Sequence, residues 1–365
     1  MAESGATPRI SEVRRRALRA VSAFFSPLLP DDYLELINPL WSTRELRGRI
    51  ERIEEETADA VTVLIRPGHE WLGHQPGQYL RIGVVVDGVH HWRAYSLTSE
   101  PGRPDGCISI TPQLVDAGKV SPYLVRQARP GDIVRLGGVE GTFVLPDPLP
   151  PRLLFISAGS GITPIMSMLR SLDRQDALAD VIHIHSARTE ERVIFADRLR
   201  GLDREQEGFR LHLQLTGTDG RLAPGDLDRV CPDWRERQTF LSGPAEMLEA
   251  MARHWEQQGN RDLLSMERFQ PVIGGEGGKG AGGAVSFLKS GVEAKCDGDT
   301  PILVGGEEAG AILPFGCRMG ICHTCVGRLC KGEVRDLRTG KVHGTEGEMI
   351  RTCVNSPEGP IEIEL

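Results

Sequence analysis

The sequence predicts a multidomain fold: an antiparallel β-barrel, then an α/β domain built on a parallel sheet, then a small α+β domain. Three observations predict it. Closely spaced β-like runs give way, across the proline-rich Pro146–Pro151, to strands alternating with helices. Seven of the ten residues from Gly274 to Gly283 are Gly, too many for a packed core, so this stretch reads as a tether. The chain has 365 residues, enough for two or three cores at roughly 100–200 residues each.

The elements follow in order. Residues 1–44 form an N-terminal extension in which Val13, Leu18, Val21, Phe25 and Leu28 recur at helical spacing among Arg14, Arg15, Arg16 and Arg19, a short basic amphipathic helix stopped by Pro27 and Pro30. Such a helix packs on the protein itself or, through residues 10–30, lies on a membrane surface or a partner. Residues 45–147 carry the barrel strands Leu46–Ile53, Ala60–Ile65, Tyr79–Val86, His90–Leu97, Ile108–Thr111 and Ile133–Leu136. Residues 148–270 alternate: strand Leu153–Ser157, helix Thr163–Leu172, strand Val181–His185, helix Val193–Leu202, strand Leu211–Leu215, strand Phe240–Leu241 and helix Ala245–Gln258. That alternation gives a parallel sheet of nucleotide-binding type. Residues 271–283 are the tether, and 284–365 the third domain, with strands near Val285–Leu288 and Ile361–Ile363.

Composition narrows the function. Hydrophobic residues are 39% and charged residues 26%, the balance of a globular chain. A formal net charge of −8 argues against nucleic-acid binding, which calls for a basic face, and suits brief docking with a basic partner. No run approaches the ~18–20 apolar residues of a spanning helix, and the start lacks a secretory pattern. A cytoplasmic location is expected, either free or at the inner face of the membrane.

Of eight cysteines, Cys107, Cys231 and Cys296 are scattered, whereas Cys317, Cys322, Cys325, Cys330 and Cys353 cluster. In a reducing compartment clustering favours metal ligation over disulfides. Cys317-x4-Cys322-x2-Cys325 with Cys353 28 positions later has the spacing with which four thiolates hold a [2Fe–2S] pair. The alternative is zinc on Cys322, Cys325, Cys330 and Cys353. Zinc sites usually pair two short Cys knuckles, and only one is present. Under the iron–sulfur reading Cys330 is a buried strand cysteine.

The loop Pro314-Phe315-Gly316-Cys317-Arg318-Met319-Gly320-Ile321-Cys322-His323-Thr324-Cys325 resembles the cluster loop of plant-type ferredoxins, which implies a β-grasp fold for residues 284–365. Arg93-Ala94-Tyr95-Ser96-Leu97-Thr98-Ser99 resembles the R-x-Y-S-x-x-S signature of the ferredoxin–NADP reductase family, a likeness spanning roughly residues 45–270. An arginine there neutralises a diphosphate, a tyrosine stacks on the isoalloxazine and a serine hydroxyl meets flavin N5. Gly118-Lys119-Val120-Ser121 resembles the family's G-x-x-S turn, whose N–H groups hold the diphosphate and which implies FAD rather than FMN. Where relatives often place a basic residue after the strand Ile108–Thr111, Pro112-Gln113 stand here.

Ser157-Ala158-Gly159-Ser160-Gly161-Ile162-Thr163-Pro164 is a Gly-rich turn between strand and helix, the family's nucleotide turn, and Gly159, Gly161, Thr163 and Pro164 are its expected contacts. Ser242-Gly243-Pro244 stands where the family has Cys-Gly-Pro beside the nicotinamide, so Ser242, with Ser96 and Glu267, is an expected catalytic residue and Gly243 and Pro244 are binding residues. Glu267 and Phe269 resemble the family's closing strand near the flavin. Ser186 and Arg188 follow the second sheet strand, where an arginine can pair a ribose 2′-phosphate; this favours NADPH over NADH, although Glu190 and Glu191 lie close by.

These resemblances imply an enzyme, an NAD(P)H-dependent oxidoreductase moving electrons from NADPH to FAD to a [2Fe–2S] cluster. The segment Leu28–Trp41 resembles reductases that feed membrane fatty-acyl desaturases, which makes a desaturase the expected acceptor. The alternatives are a reductase for a cytochrome P450 or a ring-hydroxylating dioxygenase, or a redox or zinc-binding regulatory module without turnover.

Overall fold

The computed structural model describes residues 37–115, 118–268, 280–315, 320 and 323–365. The expected basic helix, most of the Leu28–Trp41 segment, Phe269, most of the tether, Cys317 and Cys322 lie outside the described residues.

Six strands form the first sheet: β1 (Arg47–Thr57), β2 (Ala60–Pro67), β3 (Tyr79–Val86), β4 (Val89–Ser96), β5 (Ile108–Ile110) and β6 (Ile133–Glu140), in the order β4-β3-β6-β1-β2-β5. Neighbours are antiparallel throughout. Alternate residues point inward, so Ile50, Val63, Ile65, Leu80, Ile82 and Ile110 fill one core with Leu124 of the short helix α1 (Val120–Arg126). The two edges of the sheet meet at one bridge, Leu97 to Ile110, beside a Thr98 N–H to Ser109 carbonyl bond of 2.8 Å. The expected barrel is therefore closed by a bridge and not by a full ladder. Because β5 is only three residues long, β4 keeps most of its outer edge free of a strand partner.

The second sheet is parallel, β11-β10-β7-β8-β9, from β7 (Leu153–Ala158), β8 (Val181–Ala187), β9 (Phe209–Leu215), β10 (Gln238–Ser242) and β11 (Leu264–Glu267). Helices α2 (Ile162–Arg174) and α3 (Ala196–Glu205) cover one face; α4 (Leu227–Val230) and α5 (Ala245–Gln257) cover the other. Strand residues alternate between the faces, Phe155 and Phe240 toward α2, Leu154, Ile156 and Leu241 toward Trp255 of α5. Helix α3 starts three residues later than its apolar pattern suggests. Val193 and Ile194 are buried as a loop, and Phe195 takes a left-handed backbone ahead of the helix.

Helix α2 is buried on nearly every side because it lies between the first two sheets. Its Ser167 hydroxyl donates to the Ser99 carbonyl at 2.6 Å, and its Arg170 and Arg174 guanidinia donate to the Thr98 and Gly102 carbonyls at 2.7 and 2.9 Å. Phe143 of the first domain packs edge-on against Phe240.

The third domain has a mixed sheet, β13-β12-β19-β14-β17, from β12 (Gly283–Phe287), β13 (Val292–Cys296), β14 (Val326–Lys331), β17 (Met349–Arg351) and β19 (Ile361–Glu364), with α6 (Ile302–Glu308) packed on it. A smaller sheet joins β16 (Val342–His343), β15 (Val334–Asp336) and β18 (Asn355–Pro357). The end of the glycine run is structured: β12 begins at Gly283, and the Gly280 N–H donates to the Gly298 carbonyl at 3.3 Å. Among the described residues no helix is long and apolar enough to cross a membrane.

Candidate active site

Two clefts open where the first two sheets meet. The first, of about 460 Å³, is lined by Arg93, Tyr95 and Ser96 of β4, by Gly118, Lys119, Val120 and Ser121 at the start of α1, and by Ser160, Thr163, Glu267 and Arg268 from the parallel-sheet domain. The second, of about 340 Å³, is lined by Gly159, Gly161, Gly243 and Pro244 with neighbours on α5. Gln113, Ser160 and Arg268 line both, so the two form one groove. The free edge of β4 supplies one wall. The other is the C-terminal edge of the parallel sheet at β7 and β10, where the chain turns to opposite faces and ligands of such sheets bind.

Local packing explains why these residues stand there. A side chain at Gly161 would lie 2.3 Å from the Ser242 carbonyl oxygen and 2.8 Å from the Gly243 Cα, so only glycine lets the two turns touch. The Thr163 hydroxyl donates to the Ser160 carbonyl at 2.9 Å and braces the turn. The Ser121 hydroxyl accepts the Val115 N–H at 3.1 Å, folding the loop before α1 against the helix.

Four expected contacts lie off the groove walls. Pro164 is buried in the first turn of α2, where a missing N–H costs nothing. Ser242 is fully buried at the end of β10, in register between Ser157 and Glu267. Ser186 is buried and Arg188 exposed where β8 ends, beyond both clefts.

Electrostatics single out Glu267. Burial pushes its carboxyl up to about 7, with no ion-pair partner among the described residues. Arg268, Gln113, Tyr79, Trp92 and Thr111 also line the groove without having been expected. Arg268 was within reach of sequence reasoning as the cation next to Glu267; the others follow only from how the barrel curls. Phe315, two residues before Cys317, lines the first cleft and brings the start of the cysteine loop to its mouth.

Residues 49–145 match the family model for an oxidoreductase FAD-binding domain, 155–253 that for an oxidoreductase NAD-binding domain, and 286–358 that for a 2Fe-2S iron-sulfur cluster binding domain. An NADPH oxidoreductase of Mycobacterium tuberculosis is 46% identical over 353 residues, covering 96% of this chain and 92% of that one. The chain belongs to the ferredoxin–NADP reductase family, in the form that carries a [2Fe–2S] domain. The reductase is also 26% identical to the glycine betaine monooxygenase reductase subunit of Pseudomonas aeruginosa, over 90% of this chain and 98% of that one. The solved structure of phthalate dioxygenase reductase shares the fold, with a TM-score of 0.57 at 19% identity over 87% of this chain and 97% of that one.

As a member of this family the reductase uses FAD, a nicotinamide nucleotide and a [2Fe–2S] cluster, and electrons pass in the order nicotinamide, flavin, cluster. The site chemistry fits these groups. The Tyr95 hydroxyl is buried without a hydrogen-bond partner at the wall of the first cleft, a cost that a polar ligand removes. Cys325 and Cys353 are 1% and 2% exposed in one apolar core, and the Gly320 N–H donates to the Cys353 sulfur at 3.2 Å, as suits a thiolate ligand. Cys330 does not join them. It is half-exposed on β14 and outside the core that holds Cys325 and Cys353, so it is not the buried cysteine expected, and the zinc set loses a member. Among the described residues no group of three or more metal-binding side chains forms.

Proposed function

We propose that the protein is the NADPH-dependent reductase component of an oxygenase system, delivering electrons singly from its cluster to a separate oxygenase. In this reading Arg93, Tyr95, Ser96 and Gly118–Ser121 hold FAD. Gly159, Gly161, Thr163, Gly243 and Pro244 hold the nucleotide, with Ser186 and Arg188 at its ribose. Cys317, Cys322, Cys325 and Cys353 hold the cluster.

The observation that carries the reading is the continuity of the groove. The β4 signature, the nucleotide turn and Phe315 of the cysteine loop all line it or its extension, so donor, flavin and cluster have adjoining seats. NADPH is favoured by the positive charge of Arg188 at the end of β8. Of the two acids that weighed against it, Glu190 is paired with Arg200, whereas Glu191 has no ion-pair partner among the described residues. The relative of 46% identity is likewise an NADPH oxidoreductase by name.

An oxygenase fits as acceptor better than the desaturase suggested by Leu28–Trp41. The glycine betaine monooxygenase reductase and phthalate dioxygenase reductase each name an oxygenase, and each is matched over nearly its full length.

Anaerobic titration with NADPH, followed by visible absorbance and electron paramagnetic resonance, tests the electron path. Flavin bleaching and the signal of a reduced [2Fe–2S] cluster are expected at lower NADPH than NADH concentration. A cluster that stays oxidised overturns the path. Coupled turnover with purified oxygenases and with an acyl desaturase tests the acceptor, and turnover with the desaturase alone overturns the oxygenase reading.

A further inference from the structure

Residues 351–353 tie the iron–sulfur site together from both sides. Arg351 ends β17 and pairs with Val326, the residue after Cys325. The Thr352 N–H and hydroxyl both donate to the Cys325 carbonyl, at 3.1 and 2.8 Å. On the other side the Arg351 guanidinium donates to the Gly320 carbonyl at 2.6 Å, while the Gly320 N–H donates to the Cys353 sulfur. Gly320 has a φ of +72°, and a side chain there would stand 2.8 Å from Val354, so the loop passes this point only as glycine.

The charges at this point are unequal. Arg338 also borders Gly320, but Asp336 takes its guanidinium at 3.1 and 2.6 Å. Arg351 is half-buried, and no carboxylate among the described residues pairs with it.

We propose that Arg351 is a positioning residue of the iron–sulfur site that fastens the cluster loop at Gly320 to the strand bearing Cys353, and that its uncompensated charge raises the cluster's reduction potential. The inference rests on the reading of Cys317, Cys322, Cys325 and Cys353 as the ligands. One electron arriving from reduced flavin adds one negative charge to a site already made anionic by thiolates, and no proton accompanies it. A fixed cation one residue's backbone away from a ligand sulfur, in a partly buried setting, stabilises that reduced form more than the oxidised one. The Gly320 N–H bond to sulfur acts in the same direction, and Arg351 holds that residue in place.

The test is a redox titration monitored by electron paramagnetic resonance on full-length Arg351→Gln and Arg351→Lys, with iron and sulfide measured per chain. Arg351→Gln is expected to shift the midpoint to more negative potential and to lower the fraction of cluster reduced at a fixed NADPH to NADP⁺ ratio. Arg351→Lys, which keeps the charge, is expected to stay near the wild-type midpoint. A fully loaded Arg351→Gln protein with the wild-type midpoint overturns the proposal, as does Arg351→Lys shifting as far as Arg351→Gln. If Arg351→Gln holds no iron, Arg351→Lys decides alone: full occupancy at the wild-type midpoint supports the proposal, and a negative shift at full occupancy overturns it. Wild-type protein without iron and sulfide would instead defeat the ligand reading.

Discussion

Glu267 ends the last strand of the parallel sheet with its carboxyl in the groove and no countercharge, so burial alone favours its protonated form. The consequence for stability has a definite sign. A carboxyl raised in the folded state contributes fully below its unfolded value of about 4.3, and that contribution is lost as pH rises through about 7. Above that the native apo-protein carries a buried charge costing roughly 3 kcal/mol. Glu267→Gln never ionises, so its melting temperature relative to wild type should climb between pH 5 and pH 8. A pH-independent difference in thermal melts of the apo-proteins would refute this. The same ionisation gives the groove a group that exchanges a proton near neutrality, in the cleft that Ser96 also lines.

At the scale of elements, β7 and β8 are joined by more than their ladder. The Ser157 hydroxyl lies 2.8 Å from His183 Nε2 and 2.8 Å from His185 Nδ1, and all three residues are fully buried. Where the hydroxyl donates to one ring and accepts from the other, the accepting ring must be neutral. Burial lowers both, His185 to about 4. Groups whose folded value is depressed give stability that is complete above the unfolded value of about 6.5 and is lost as pH falls through about 4. These two strands carry the Gly159–Gly161 turn and the Ser186–Arg188 end, so the bonded trio holds both in register. Ser157→Ala leaves two buried rings without their partner and should cost about 1–3 kcal/mol in denaturant unfolding at pH 7.5. A loss below about 0.5 kcal/mol would show that the trio is not a clamp.

Across the whole molecule, the groove exists because α2 fixes two domains against each other. Arg170 is central: half-buried, it donates to the Thr98 carbonyl, lies 5.2 Å from the Phe195 ring centroid, and loses part of its affinity for protons through desolvation. Asp59 and Arg192 form an ion pair across the same junction at 2.5 Å, and Glu56 accepts the Phe195 N–H at 3.1 Å. Arg170→Ala should cost about 2–3 kcal/mol, since a charge-assisted bond and a long apolar stem both go. Calorimetry of the variant should split the joint unfolding of the first two domains into separate steps. A single transition at the wild-type temperature would mean that the junction does not depend on this residue.

How much of this was legible differs by level. Strand alternation and the change of period at Pro146–Pro151 announce the first two architectures because side-chain burial repeats every two residues in a strand and every 3.6 in a helix, and the glycine run Gly274–Gly283 sets off the third. The groove residues of β4, the Gly118–Ser121 turn and the Gly159–Gly161 turn were readable because each is a contiguous stretch whose residue types suit one ligand group. The 2Fe-2S domain was readable because the number and spacing of its cysteines are nearly enough to define the chemistry.

Folding in three dimensions decided the rest. Whether the barrel closes by a bridge or a ladder depends on strand lengths and twist summed around six strands. That Arg268, Gln113 and Phe315 share one groove, that Ser157 meets two histidines, and that Arg351 reaches Gly320 depends on contacts between residues distant in the chain. Local sequence determines which groups are available and which face they take. Only packing between elements sets the distances over which charges and hydrogen bonds act, and those distances fix the Glu267 ionisation and the charge beside Cys353.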